Sequence, residues 1–281
     1  MYSILMKFRV ACLLILSLST LPGCETLKSF GDSSSSDEDY TGWSAEKFRT
    51  NAKEAVEASN YDKAIKFYEA VEARYPFDNA APQTQLDSAY AYYKNNDAEA
   101  ALAAADRFIK TYPRDMHVDY AYYLKGLVNY NRGISFIDRF LPTDTSQRDQ
   151  AFANDALENF AELMRRFPQS HYIPDAQQRS VSLKNNLAMH EINIARYYMK
   201  RGAYIAAANR ANTVIDKYDR TIAVPQALEV LQESYTQLNM PQLAKDAKRV
   251  YDQNYPNGTP ETDTSNITIS HQLWDFIGLD K

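Results

Sequence analysis

Five aromatic residues, each followed by a proline or a polar stop, set the register of this chain: Tyr75-Pro76, Tyr112-Pro113, Phe167-Pro168, Tyr218-Asp219 and Tyr255-Pro256, spaced 37, 55, 51 and 37 residues apart. Eleven residues before each aromatic stands an alanine: Ala64, Ala101, Ala156, Ala207 and Ala244. Four before each stands an apolar or aromatic residue: Val71, Phe108, Leu163, Val214 and Tyr251. Counted from the alanine, offsets of 0, 7 and 11 fall on one face of an α-helix. The small residue lets another helix approach closely, and the large ones fill the groove behind it. Proline cannot continue the helix, and it pushes the residue before it toward an extended conformation.

A partner helix is visible upstream. Twelve residues before the alanine a second small residue recurs with a companion three later, as Ala89 with Tyr92 and Ala195 with Tyr198. Ala52 with Ala55 is a reduced instance, Gln232 with Tyr235 keeps only the tyrosine, and Gly126 with Tyr130 approximates it in the third unit. Ser59-Asn60, Asn95-Asn96-Asp97, Arg201-Gly202 and Asn239-Met240 read as the intervening turns, because Asn, Asp and Gly end one helix and cap the next. Pro241 then opens a helix at no hydrogen-bonding cost. A helix-turn-helix unit of this kind resembles the tetratricopeptide (TPR) repeat, and Phe48, Ala52, Ala64, Tyr68 and Pro76 stand at consensus-like spacing. The expected fold is all-α, a TPR-like helical solenoid of five helix-turn-helix repeats with one concave surface.

Two units depart from the period. The third is 18 residues longer than a 37-residue unit, and the excess falls between its helices around residues 133–148. That loop holds Ile134, Phe136, Ile137, Phe140 and Leu141, so it either folds back onto its own repeat or contacts a partner. The fourth is 14 residues longer, and from Pro174 to Lys200 it has no further Pro or Gly. That run predicts a helix of roughly 40 Å bridging the two halves of the solenoid. Of the 21 tyrosines, Tyr90, Tyr92, Tyr93, Tyr120, Tyr122 and Tyr123 cluster on consecutive first helices. They either recognise an extended peptide, for which a ring with a polar end is suited, or pack between helices.

The ends lie outside this pattern. Lys7 and Arg9 precede an apolar run at residues 10–21, too short to span a bilayer as a helix. Leu21-Pro22-Gly23-Cys24 resembles a lipobox, at which bacterial lipoproteins are cleaved before the cysteine and acylated on it. The alternative is an ordinary secretory signal with an incidental cysteine. Cys12 leaves with the signal, so Cys24 is the one cysteine of the mature chain, as expected of a lipidated thiol. Each buried CH₂ of an acyl chain adds about 0.8 kcal/mol of anchoring. Glu25, where Asp would favour inner-membrane retention, leans toward the outer membrane. The expected organisation is a signal at 1–23, lipidated Cys24 with a flexible tether to 43, repeats 1–3 at 44–168, repeats 4–5 at 169–256 and a tail at 257–281. The tail ends in the apolar stretch Leu273-Trp274-Asp275-Phe276-Ile277-Gly278-Leu279, which either docks back or binds a companion subunit.

Signals of catalysis are missing. The four histidines are scattered, and glycine-rich phosphate loops and a G-x-S-x-G motif are absent. No cofactor or metal is expected, and the chain reads as a non-enzyme. A net charge of −5 and a pI near 5.5 argue against nucleic acid as a partner.

Several segments together resemble the BamD (ComL) family of outer-membrane assembly lipoproteins. They are Arg74-Tyr75-Pro76-Phe77, Gln85-Leu86-Asp87, Tyr90-Ala91-Tyr92-Tyr93-Lys94-Asn95, Asp106-Arg107-Phe108-Ile109, Gly126-Leu127, Arg148-Asp149, Arg201-Gly202-Ala203 and Asn209-Arg210, and the match covers residues 44–256. The resemblance implies a lipid-anchored protein on the periplasmic face of the outer membrane. It implies a scaffold in the β-barrel assembly (BAM) complex that binds a POTRA domain of BamA, companion lipoproteins and unfolded β-barrel precursors. By position, Arg201, Asn209 and Arg210 correspond to the BamA-facing part, with Arg210 the charge partner. Tyr75, Phe77, Tyr92 and Tyr93 correspond to the part facing precursor peptides. The competing readings are a general periplasmic TPR lipoprotein scaffolding peptidoglycan or cell-division complexes, and a peptidoglycan-linked competence factor.

Overall fold

The structure, a computed structural model, describes residues 40–132 and 150–260. The expected signal segment, Cys24, most of the tether, the 133–148 loop and the tail beyond Pro260 lie outside the described residues. Tyr40 and Trp43 belong to a unit of their own ending at Ser44, where their rings meet edge to face at 4.8 Å. Everything described from Ala45 onward is one helical unit.

Ten helices account for it among the described residues: α1 (Ala45–Glu57), α2 (Tyr61–Arg74), α3 (Ala81–Lys94), α4 (Ala98–Thr111), α5 (Val118–Arg132), α6 (Gln150–Arg166), α7 (Ile173–Lys200), α8 (Tyr204–Lys217), α9 (Val224–Gln237) and α10 (Pro241–Asn254). Each packs on the next in sequence. Odd-numbered helices of successive units also touch directly, α3 with α5, α5 with α7 and α7 with α9. This is the expected solenoid of five helix-turn-helix units.

The repeated alanines are where helices meet. Ala64, Ala101, Ala156 and Ala207 have no exposed surface, and Ala244 keeps 8%. Val71, Phe108, Leu163 and Val214, about two turns further along the same face, are buried with them. Within units 1, 2, 4 and 5 the turn is the same structure. Ser59, Asn96, Gly202 and Asn239 take φ of 57°, 60°, 72° and 56°, and the next residue donates its N–H to the carbonyl five positions back. That left-handed residue reverses the chain and satisfies carbonyls that the helix end would leave open.

The joints between units are equally uniform. Each marker aromatic caps its helix, with φ between −124° and −132° at Tyr75, Tyr112, Tyr218 and Tyr255. Its carbonyl then accepts from the residue three on: Asp78, Asp115, Ser170, Thr221 and Gly258. The aromatic therefore opens a β-turn, and proline recurs after it because its fixed φ suits the second turn position. In the first four joints a second such bond follows, for example from Ala81 N–H to Asp78.

Helix α7 is 28 residues long, twice the 14 of α8 beside it, so the extra length of the fourth unit is continuous helix. Its first half, through Ala176 and Leu183, packs with Phe108, Ala121, Phe160 and Leu163. Its second half, through Ala188, Ile192 and Ala195, packs with Ala207, Val214, Ala227 and Leu231. One helix thus belongs to two cores. No described helix is long and apolar enough to cross a membrane.

Candidate partner-binding surfaces

At the N-terminal end, the crevice between units 1 and 2 is lined by Glu72, Tyr75, Gln85, Arg107 and Tyr112 and holds about 120 Å³. Arg107 donates to Glu72 at 2.8 Å across it. Tyr75 reaches this crevice because it is the helix cap. Tyr92 does not line it: its hydroxyl donates to Glu69, from where it feels the charges of Glu72 and Arg107. Burial and the two neighbouring glutamates push the Tyr92 hydroxyl well above its ordinary range. Tyr93 faces elsewhere. It accepts from Asn131 at 2.6 Å and lines a separate pocket of about 500 Å³ with Asn96, Val128 and Arg132.

Phe77 makes no such contact and is 97% exposed. It occupies the third position of its β-turn, where the other four joints place Arg114, Gln169, Arg220 and Asn257, all exposed. The turn needs nothing apolar there, so Phe77 is not explained by folding. The four expected residues therefore do not form one site: Tyr75 lines one crevice, Tyr92 is tied to Glu69, Tyr93 lines another pocket, and Phe77 stands in solvent.

The remaining tyrosines of the cluster are largely structural. Tyr123 stacks on Tyr172 with centroids 4.6 Å apart and donates to Asp175 at 2.6 Å. Tyr120 also meets Tyr172, and Tyr122 packs on Phe167. Tyr120 and Tyr123 thus fasten α5 to the start of α7, and Tyr122 fastens it to the end of α6.

Nothing in the spacing of the sequence marks Asp87 as a site. One carboxylate oxygen accepts from Gln83 at 2.7 Å, while the other is buried with no hydrogen-bond partner. Burial holds its carboxyl above the usual range, against the opposing pull of Gln83, Lys53 and His117. Folding therefore favours the protonated form, so the charged form costs stability at neutral pH and the cost fades as pH falls through the raised value. Asp87→Asn should raise the melting temperature at pH 7 and change it little below about pH 4, where the reference carboxyl also protonates. Paired thermal melts at the two pH values check this.

At the C-terminal end, Arg201 caps α7 with its guanidinium over the Tyr197 ring at 5.3 Å. Asn209 is exposed and lines an apolar groove of about 400 Å³ with Ala203, Tyr204, Ile205, Ala206 and Leu238. Arg210 points differently, donating to Glu191 of α7 at 3.1 Å. The Glu191 side chain is only 12% exposed, and a buried carboxylate deprived of its cation is destabilising. Arg210→Glu should therefore lower the melting temperature even in the isolated protein, whereas Arg201→Glu should leave it within a degree or two; thermal melts without partners separate them.

No group of acidic, histidine or cysteine side chains among the described residues could hold a metal ion.

Residues 43–250 match a family model described as "YfiO: Outer membrane lipoprotein". The chain is 46% identical over 214 residues to "Outer membrane protein assembly factor BamD" of Neisseria meningitidis, covering 76% of this chain and 80% of the relative. Proteins of the same name from Vibrio cholerae and Xylella fastidiosa are 34% and 33% identical. The first alignment covers 80% of this chain and 90% of the relative, the second 77% and 74%.

Proposed function

Because the chain belongs to the YfiO family of outer membrane lipoproteins, whose relatives are the BamD assembly factors, we propose that its two ends divide the work of an outer membrane protein assembly factor in the BAM complex. Units 1 and 2 receive extended segments of unfolded β-barrel precursors. Units 4 and 5 hold a POTRA domain of BamA and companion lipoproteins. Acylated Cys24 anchors the chain to the periplasmic face of the outer membrane. The chain works as a scaffold, without catalysis or cofactor.

The observation carrying the first assignment is Phe77: a fully exposed aromatic at a position that is polar in the four equivalent turns. Two residues away in sequence, Tyr75 lines the crevice that holds the Glu72–Arg107 pair, which offers both a donor and an acceptor to a peptide backbone. The second assignment is supported by the exposed corner at Arg201 and Asn209 beside an apolar groove. Arg210 serves it indirectly, by holding α8 to α7.

Depletion of the protein in cells tests the role. Simultaneous loss of many outer-membrane barrels is expected; normal barrel levels with a cell-wall defect would instead indicate a peptidoglycan or division scaffold. A photo-crosslinking residue at position 77 should capture precursors, and Phe77→Asp should reduce precursor binding without moving the melting temperature. Arg201→Glu should weaken co-purification with BamA.

A further inference from the structure

The groove beside Asn209 adjoins exposed apolar residues contributed by the last two units. Ile205 is 63% exposed, Met240 44% and Leu243 45%, and Leu238 lines the groove between them. In unit 2 the positions in register with Leu238, Met240 and Ile205 hold Asn95, Asp97 and Glu99. The solenoid therefore does not require apolar residues there. A cluster of large apolar side chains left in water is what interaction surfaces look like.

The chain itself supplies a segment that fits. After Pro260 come 21 residues, and five of the seven at 273–279 are apolar. They lie beyond the span that the family model matches, which stops at residue 250. Their starting point is fixed, because Thr259 bonds to both Glu229 of α9 at 2.7 Å and Tyr251 of α10 at 2.8 Å. Glu229 and Leu238 are nine residues apart, so the corner lies about 14 Å along the α9 direction from that tie. The 13 residues from Pro260 to Leu273 can extend about 43 Å, well over the distance needed. Charge agrees as well: Asp275 lies within the apolar stretch and Asp280 follows it, and Lys200, Arg201 and Lys245, close in sequence to the corner residues, are exposed.

We propose that residues 273–279 of the same chain pack onto the apolar corner of Ile205, Leu238, Met240 and Leu243, covering it in the free protein. The contact is intramolecular and places Trp274 against the groove. It stands independently of which partner later uses this end of the solenoid.

The chain has two tryptophans, Trp43 and Trp274, so Trp43→Phe leaves Trp274 as the sole reporter. In the full-length chain purified in detergent, its fluorescence should be blue-shifted and several-fold less sensitive to acrylamide than free tryptophan. Both properties should persist on dilution. Adding Ile205→Asp and Met240→Asp, at positions already exposed, should red-shift the emission and restore quenching while helical circular dichroism stays unchanged. Emission typical of solvent-exposed tryptophan in the parent overturns the proposal. So does emission indifferent to the two aspartates. Protection that disappears on dilution also overturns it, since the occupant would then be a second copy.

Discussion

Replacing Gly126 with alanine should lower the melting temperature, although alanine is the better helix former by about 1 kcal/mol. The reason lies across the third unit. A Cβ built on Gly126 would sit 2.3 Å from Cε1 and 2.5 Å from Cδ1 of the Phe160 ring. That ring is fully buried, between Tyr123, Leu163 and the start of α7, and has nowhere to retreat. Overpacking of this sort costs about 1–3 kcal/mol, which outweighs the propensity gain. Phe160→Ala should cost more, about 3–5 kcal/mol, by leaving a cavity. The double variant is the decisive sample: the methyl at 126 then projects into the space the ring vacated, so the two losses should fall well short of their sum. Chemical denaturation of the four proteins measures the coupling. A rise in stability for Gly126→Ala would show that α5 and α6 are not in this close contact.

Lys184→Pro should have the second large effect. Lys184 is exposed and lies midway along α7, at the boundary between the half packed in one core and the half packed in the other. Proline there removes one hydrogen bond and clashes with the carbonyl four residues back, about 3 kcal/mol or more. Lys184→Ala, which keeps the helix, should change stability by no more than about 0.5 kcal/mol. The shape of the melt is more telling than the midpoint. With α7 intact the two cores share a helix and should unfold together; with α7 broken they should separate into two transitions. A single unshifted transition in Lys184→Pro would mean that the helix does not couple them.

The architecture was legible in the sequence because its determinants are local. The Ala-aromatic register, the turn residues at Ser59, Asn96, Gly202 and Asn239, and the helix from Pro174 to Lys200 each follow from spacing along one or two helices. The partner surfaces were less legible, since the partners of their side chains lie far away in the chain. Whether Tyr93 is available depends on Asn131, and whether Tyr123 is available depends on Asp175. Arg210 reads as a free cation until α7 brings Glu191 beside it. The oddity of Phe77 is visible in the sequence as well. It needs only the five joints aligned on their aromatics, which exposes one apolar residue in a column of polar ones.

That column has a consequence for how such proteins change over time. Each joint satisfies its own backbone through the turn bonds that follow the aromatic, and the third turn residue takes no part in them. Residues 77, 114, 169, 220 and 257 are therefore free of folding constraint while being held in fixed, outward-facing places. A lineage can rewrite what these five positions display without renegotiating the scaffold beneath them. New binding preferences can arise there by single substitutions that leave the protein as stable as before.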